Sequence, residues 1–249
     1  MITKLQVKYI QSLGQKKFRD EEAVFIAEGP RIINELLGAS SITPVAVYAT
    51  ATWMQENMRA DKNSPLFQVT EVKAAELERL SFLQTPNEVL GIFKKPVHAA
   101  LDFSNTLSLM LDGIQDPGNL GTIIRIADWF GIANIVCSKD CADAFAPKVV
   151  QATMGSIARV KLLYTDLPAL AKKIEPIQLY AATLDGQPVH RLQPIKEAVL
   201  VTGNESKGIS AALLDCCQHR ITIPRLGHAE SLNAAVATGI ILSHLVTGN

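Results

Sequence analysis

The stretch LSLMLDGIQDPGNLGTIIRIADWF, Leu107–Phe130, decides the fold. Leu107 to Ile114 is a largely apolar run of strand length, the composition of a strand covered on both faces. Gln115-Asp116-Pro117-Gly118-Asn119 reads as a turn, with Asn119 placed to cap a helix, and Thr122–Phe130 reads as that helix. A buried strand handing over to a helix through a polar, glycine-bearing turn is the unit of a parallel α/β sheet. In such sheets the carboxyl ends of the strands form a crevice, where helix N-termini and free loop amides converge on ligands. Two more polar islands, Gly203–Gly208 and Ile223–Asn233, make the same handover and imply one composite site with Asn119–Arg125.

Outward from this stretch, the pattern repeats. Ile135–Ser138, Leu179–Leu184, Val199–Thr202 and Arg220–Ile223 read as strands, separated by helical segments at Ala146–Ala158, Leu167–Ile174 and Ile209–Cys216. The last helix, Ser231–Val246, is apolar nearly all round and must be buried against the sheet, a partner subunit or both. Strands alternating with helices predict a mostly parallel sheet with helices on both faces. Upstream, Lys4–Leu13 has Leu5, Tyr9 and Leu13 at helical spacing, Ala23–Ala27 is a short strand ending at Glu28-Gly29-Pro30, and Arg31–Leu37 is helical. Val45–Ala49 and Leu66–Val69 read as further strands. A smaller α/β domain over residues 1–98 and a second domain over residues 105–249 follow, joined by a linker within Pro96–Asn105.

The 249 residues suffice for two domains with their own cores, and the formal net charge of zero argues against a generalised nucleic-acid coat. Lys4, Lys8, Lys16, Lys17 and Arg19 all precede the first acid, Asp20, and are consistent with either a basic face or a solvated helix surface. Cys137, Cys141, Cys216 and Cys217 form neither a disulfide framework nor paired zinc ligands, so reduced cysteines and no metal are expected. The N-terminus carries no apolar signal segment, and Leu232–Val246 is short for a membrane span. A soluble, cytoplasmic protein without membrane attachment is expected.

The islands lack the G-x-G-x-x-G dinucleotide fingerprint, the G-x-x-x-x-G-K-[ST] phosphate loop and the G-x-S-x-G elbow. They offer Asn119, Arg125, Glu205, Ser231 and Asn233 among glycines that permit close backbone approach to a ligand. An arginine fork, a carboxylate, two amides and a hydroxyl suit chemistry that holds and polarises an oxygen nucleophile. Each has a plainer reading: Arg125 could pair with Asp128 on its own helix, and Asn119, Ser231 and Asn233 could simply cap helices. His228 beside Glu230 and Ser231 does not make a triad, because residues so close in one loop rarely reach that geometry.

Asn119-Leu-Gly121-Thr-Ile-Ile-Arg125, Gly203-Asn-Glu205-Ser-Lys-Gly208 and Ile223-Pro224 through Ser231-Leu232-Asn233 resemble, in order, the three motifs of the SpoU (TrmH-like) branch of the SPOUT RNA methyltransferases. The segment around Phe25-Ile-Ala-Glu28-Gly29 resembles the small RNA substrate-binding domain that many members carry. The resemblance implies S-adenosylmethionine as methyl donor, a ribose 2′-hydroxyl of RNA as acceptor, a C-terminal trefoil knot, and a homodimer through the C-terminal domain with sites at the subunit interface. It places Asn119, Arg125, Glu205, Ser231 and Asn233 on catalytic or RNA-facing positions, and Thr183, Gly203, Asn204, Ile223 and Leu232 on cofactor contacts. Two positions depart from the motifs: Ser206 follows Glu205 where glycine is usual, and Arg225 follows Pro224 where methionine is common. Ribosomal RNA is the expected substrate. A transfer-RNA ribose methyltransferase, a non-catalytic RNA-binding relative and a nucleotide-dependent enzyme of another class are the rivals. A guanidinium is a poor base near neutrality, so Arg125 is expected to bind phosphate and stabilise the forming alkoxide, with Ser231, Asn233 or water taking the proton.

Overall fold

The computed structural model describes residues 2–57, 68–97 and 100–247. Up to Lys94 the elements run α1 (Lys4–Ser12), α2 (Lys16–Glu21), β1 (Val24–Glu28), α3 (Pro30–Gly38), β2 (Pro44–Ala49), α4 (Ala51–Asn57), β3 (Gln68–Glu71), α5 (Ala74–Glu78) and β4 (Val89–Lys94). From Leu107 they run β5 (Leu107–Asp112), α6 (Pro117–Trp129), β6 (Asn134–Cys137), α7 (Pro147–Thr153), β7 (Lys161–Tyr164), α8 (Leu167–Lys173), β8 (Leu179–Pro188), β9 (Ala198–Gly203), α9 (Ala211–Leu214), β10 (His219–Thr222) and α10 (Ala234–Thr247). They form two compact units, Met1–Val97 with Phe145–Ala158, and His98–Ala144 with Arg159–Asn249.

The first unit is built on a four-stranded sheet in the order β1-β4-β2-β3. Strand β4 lies antiparallel to β1 and β2, and β3 pairs parallel with β2. The sequence reading does not mark β4, and β3 lies two residues beyond the start expected at Leu66, with Leu66 and Phe67 outside the described residues. Helix α1 is fixed by a reciprocal cap: Gln6 N donates to Thr3 Oγ1 and Thr3 N donates to Gln6 Oε1. It turns a different face inward from the expected one. Ile10 and Leu13 are buried with Val24, Ile26, Leu90 and Ile92, whereas Leu5 is 79% exposed. Lys4, Lys8, Lys16 and Lys17 are exposed, but Arg19 is buried, where its Nη1 donates to the carbonyls of Leu13 and Gly14 at 2.8 Å. Arg19 therefore closes the turn between α1 and α2 and leaves the expected basic face.

Helix α7, which the sequence reading places in the C-terminal domain, belongs to the first unit. Phe145, just before it, lies 5.3 Å from the Phe25 ring, and Ser41 Oγ donates to Ala158 O at 2.8 Å just after it. The single helix expected over Ala146–Ala158 is broken. Met154 takes a left-handed conformation and Gly155 a φ of 96°, after which Ser156–Ala158 forms a 3₁₀ turn. A side chain at Gly155 would meet Glu35 Cβ at 2.8 Å, so the break suits the packing there.

The second unit contains a six-stranded sheet in the order β10-β8-β9-β5-β6-β7, parallel throughout. Two opposed faces of β9 show helices on both sides. Val199 and Val201 pack with Leu167 and Ala171 of α8 and Leu213 of α9. The adjacent Thr202, pointing the other way, lies 3.4 Å by its hydroxyl from that of Thr238 on α10. The chain steps outward from β5 through β6 to β7, then returns beyond β5 to lay down β8, and β9 inserts between. The winding direction therefore reverses where β5 and β9 lie side by side, with Asp112 opposite Gly203. Ligands of open parallel sheets bind at such a reversal, beyond the carboxyl ends of the strands.

Candidate active site

Asp116 caps α6: its side chain accepts from Asn119 N at 2.8 Å, with Pro117 opening the first turn. The cap expected at Asn119 therefore belongs to Asp116, and this frees the Asn119 side chain. Asn119 Nδ2 donates to Glu205 Oε1, and Asn233 Nδ2 donates to Asn119 Oδ1 at 2.9 Å. A chain of side-chain amides thus ties α6, the loop after β9 and the start of α10 into one array. Asn233 Oδ1 also accepts from Ala235 N and Val236 N at 3.0 and 3.2 Å, so Asn233 caps α10 while its amide nitrogen serves the array. Among the described residues, Glu205 Oε2 and Ser231 Oγ make no hydrogen bond.

The loop after β9 is shaped by its own backbone. Asn204 and Gly208 exchange two main-chain hydrogen bonds, and Asn204 Oδ1 accepts from Ser206 N and Lys207 N, while its Nδ2 donates to Gly113 O at 2.7 Å. A Cβ on Gly203 would fall 2.2 Å from the carbonyl carbon of Gly208, so only glycine allows the loop to close. The Gly113 turn is held from beneath: Gly113 N donates to Ser138 Oγ at 2.8 Å and Ile114 N to Cys141 Sγ at 3.2 Å. All four cysteines are free thiols.

A cavity of about 670 Å³ opens beside this array. Its walls are the loop Gly203–Ile209, the loop Thr222–Leu232, and Ala182–Asp185 of β8, with Leu214, Ala237 and Ile241 beneath. The β8 wall follows from an irregular register. Arg220 pairs with Ala181 but the next residue, Ile221, pairs with Gln187, so the intervening residues bow out around the cavity. Gly186 permits the return, since a Cβ there would lie 2.4 Å from Ile221 N. The sequence reading places a strand only to Leu184 and does not anticipate this excursion; Gly186 within a strand pattern is the signal that could have revealed it.

Of the ten residues selected from sequence, Thr183, Gly203, Asn204, Glu205, Ile223, Ser231 and Leu232 line the cavity. Asn119 and Asn233 join Glu205 at its edge. Arg125 is exposed on α6, outside the cavity lining, with no hydrogen bond or ion pair among the described residues. Asp128 instead pairs with Arg159, whose Nε donates to both carboxylate oxygens at 3.0 Å and whose Nη2 lies 2.8 Å from Oδ2. Thr183 Oγ1 is buried without a partner. An apolar cavity with one orphaned hydroxyl, backbone loops on two sides and charged groups at the rim fits a nucleoside whose base is buried and whose other end is polar. Among the described residues, no group of three or more His, Cys, Asp or Glu is placed to hold a metal, and no helix is long and apolar enough to cross a membrane.

A family model described as the SpoU rRNA Methylase family matches residues 106–243, more than half the chain. The chain belongs to the SpoU rRNA methylase family. A second model, described as an MRM3-like substrate binding domain, matches residues 4–91. Among relatives of this SpoU-family chain, the 23S rRNA (guanosine(2553)-2′-O)-methyltransferase RlmP of Bacillus subtilis is 29% identical over 243 residues, covering 96% of this chain and 95% of the relative. A solved putative RNA methyltransferase of the TrmH family from Porphyromonas gingivalis is 35% identical with a TM-score of 0.87, covering 98% of each chain. The AdoMet-bound rRNA methyltransferase from Sinorhizobium meliloti is 29% identical with a TM-score of 0.81, covering 97% of this chain and 94% of that one.

Proposed function

We propose that this SpoU-family chain transfers a methyl group from S-adenosylmethionine to a ribose 2′-hydroxyl of RNA, with ribosomal RNA as the substrate. The observation that carries the reading is the amide-carboxylate array of Asn119, Glu205 and Asn233 at the edge of a cavity suited to a nucleoside. The ribosomal preference draws on the relatives named for 23S rRNA and rRNA methylation and on the match of residues 4–91 to a substrate-binding domain. Residues 1–98 are assigned RNA capture and residues 105–249 methyl transfer. A cytoplasmic location is part of the same reading.

S-adenosylmethionine supplies an electrophilic methyl on a sulfonium. The chain's part is to hold that donor, align the ribose oxygen and take up its proton. Thr183 Oγ1 and the backbone of Gly203, Ile223 and Leu232 hold the donor, with Asn204 shaping the loop rather than offering its side chain, both ends of which are occupied. Asn233 Oδ1 is likewise committed to the α10 backbone, which leaves Glu205 Oε2, Ser231 Oγ or water to receive the proton. Arg125 stays charged, binds the adjacent phosphate and stabilises the forming alkoxide.

In this reading Arg125 acts through a second copy of the chain. It shares the exposed side of α6 with Trp129, one turn on, which is 84% exposed; Val236 on α10 is 51% exposed. Apolar side chains of this size left open on adjoining helices support a homodimer through the C-terminal unit, with Arg125 delivered to the partner's array. A trefoil knot is part of the same reading. It is consistent with the packing of α10 on α6 and β9 after edge strand β10, and with Leu245 O accepting from Ile195 N, in the segment before β9, at 2.9 Å. Mapping ribose methylations in ribosomal RNA from cells with and without this chain tests the proposal: one missing 2′-O-methyl is expected, and an unchanged map overturns it.

A further inference from the structure

The cavity rim carries charges that the methyl-transfer array does not use. Of the carboxylates there, Asp185 faces Arg220 at 3.6 Å and Glu205 is bonded to Asn119. Glu230 has no hydrogen bond or ion pair among the described residues. On the same loop, Arg225 Nη1 donates to Ala229 O at 3.4 Å, which keeps the guanidinium folded along the cavity wall. This one exposed loop thus presents a cation and an anion, five positions apart, to one cavity. A phosphate would be attracted by Arg225 and repelled by Glu230. A zwitterion satisfies both, and a planar guanidinium matches a carboxylate through two parallel N–H donors.

We propose that Arg225 and Glu230 recognise the amino-acid end of S-adenosylmethionine, Arg225 binding the α-carboxylate and Glu230 the α-ammonium. The assignment rests on the methyl-donor reading and deepens it. It gives Arg225, which stands where the resembling motifs commonly hold an apolar methionine, a role in selecting the donor. Because both side chains lie on the rim, the pair discriminates between donors that share an adenosyl group, while the buried walls supply the rest of the affinity.

Calorimetric titration of the full chain with S-adenosylmethionine, decarboxylated S-adenosylmethionine and 5′-methylthioadenosine tests this. Wild type is expected to bind S-adenosylmethionine about tenfold more tightly than the decarboxylated form, the scale of one exposed charge-assisted contact. Arg225→Met removes that preference without changing affinity for 5′-methylthioadenosine, and Arg225→Lys retains part of it. Glu230→Gln weakens both amine-bearing ligands and spares 5′-methylthioadenosine. Equal loss for all three ligands in Arg225→Met, or no loss for any, overturns the proposal; Arg225→Gln gives the same readout if methionine disturbs the loop. A change confined to the salt dependence of RNA binding also overturns it, in favour of a phosphate contact. If wild type binds none of the three ligands, the methyl-donor reading itself fails.

Discussion

Two carboxylates, one in each unit, are used in opposite ways. Glu28, at the end of β1, is buried, and both of its oxygens are engaged: Ser81 Oγ donates to Oε2 at 2.5 Å and Phe82 N to Oε1 at 2.8 Å. Glu205, in the loop after β9, is exposed, lines the cavity and holds a single amide partner on Oε1, with no hydrogen bond on Oε2 among the described residues. Glu28 pins the Ser81–Leu83 turn to the sheet, and its fully met demand makes it a structural group. Glu205 is held in place by one bond yet keeps a free acceptor, the condition of a group that meets a substrate. Hydrogen-bond satisfaction, more than residue type, separates the two roles.

The contrast is sharpest in activity. Glu205→Ala and Arg125→Ala are each expected to lower kcat about 10²- to 10³-fold, the scale for losing one oriented electrostatic group, and to leave the melting temperature near wild type. Single-turnover methylation with a thermal melt checks this; loss of folding in either variant would erase the distinction from Glu28. Gly203→Val comes next. Its Cβ would overlap the Gly208 carbonyl carbon, so S-adenosylmethionine binding should vanish in calorimetry and stability should fall by about 1–3 kcal/mol.

In the first unit, Glu28→Ala strands Ser81 Oγ and Phe82 N and should cost about 1–3 kcal/mol in urea unfolding without abolishing S-adenosylmethionine binding. Burial raises the Glu28 pKa, opposed by the Ser81 and Phe82 hydrogen bonds. The folded chain therefore holds this proton more tightly than the unfolded one. Its contribution to stability is full below the ordinary carboxylate value of 4.5 and fades as pH rises through the raised folded value. Glu28→Gln should flatten that slope in melts taken across the window, and an unchanged slope would assign it to another group. The smallest effect is Asp116→Ala, which removes the α6 cap and should cost about 1 kcal/mol.

The parallel sheet was legible because β5, β6 and β9 are covered on both faces and so read as continuous apolar runs. The three polar islands stood out against those runs, and the structure brings Asn119, Glu205 and Asn233 together from them. What local pattern could not supply were features set by tertiary contact. Strand β4 contains Gly91, whose missing side chain makes room for Phe93 and Ile33. Edge strand β7 is only half buried, and α7 is drawn into the first unit by Phe145 and Ala158. Leu5 and Tyr9 share helical spacing with Leu13 but not its burial, so spacing alone does not give the inward face of α1. The cap assigned to Asn119 fell to Asp116 because Pro117 opens the helix three residues before Leu120.

The most direct measurement is transfer of labelled methyl from S-adenosylmethionine to ribosomal RNA lacking this modification, followed by alkaline hydrolysis. A 2′-O-methyl blocks cleavage at its own nucleotide, so the label should emerge in an alkali-resistant dinucleotide with wild type, at an initial rate about 10²- to 10³-fold lower with Arg125→Ala. Label released in single nucleotides, which marks methylation of a base, or no label with wild type, would contradict the assignment of a ribose hydroxyl as the acceptor.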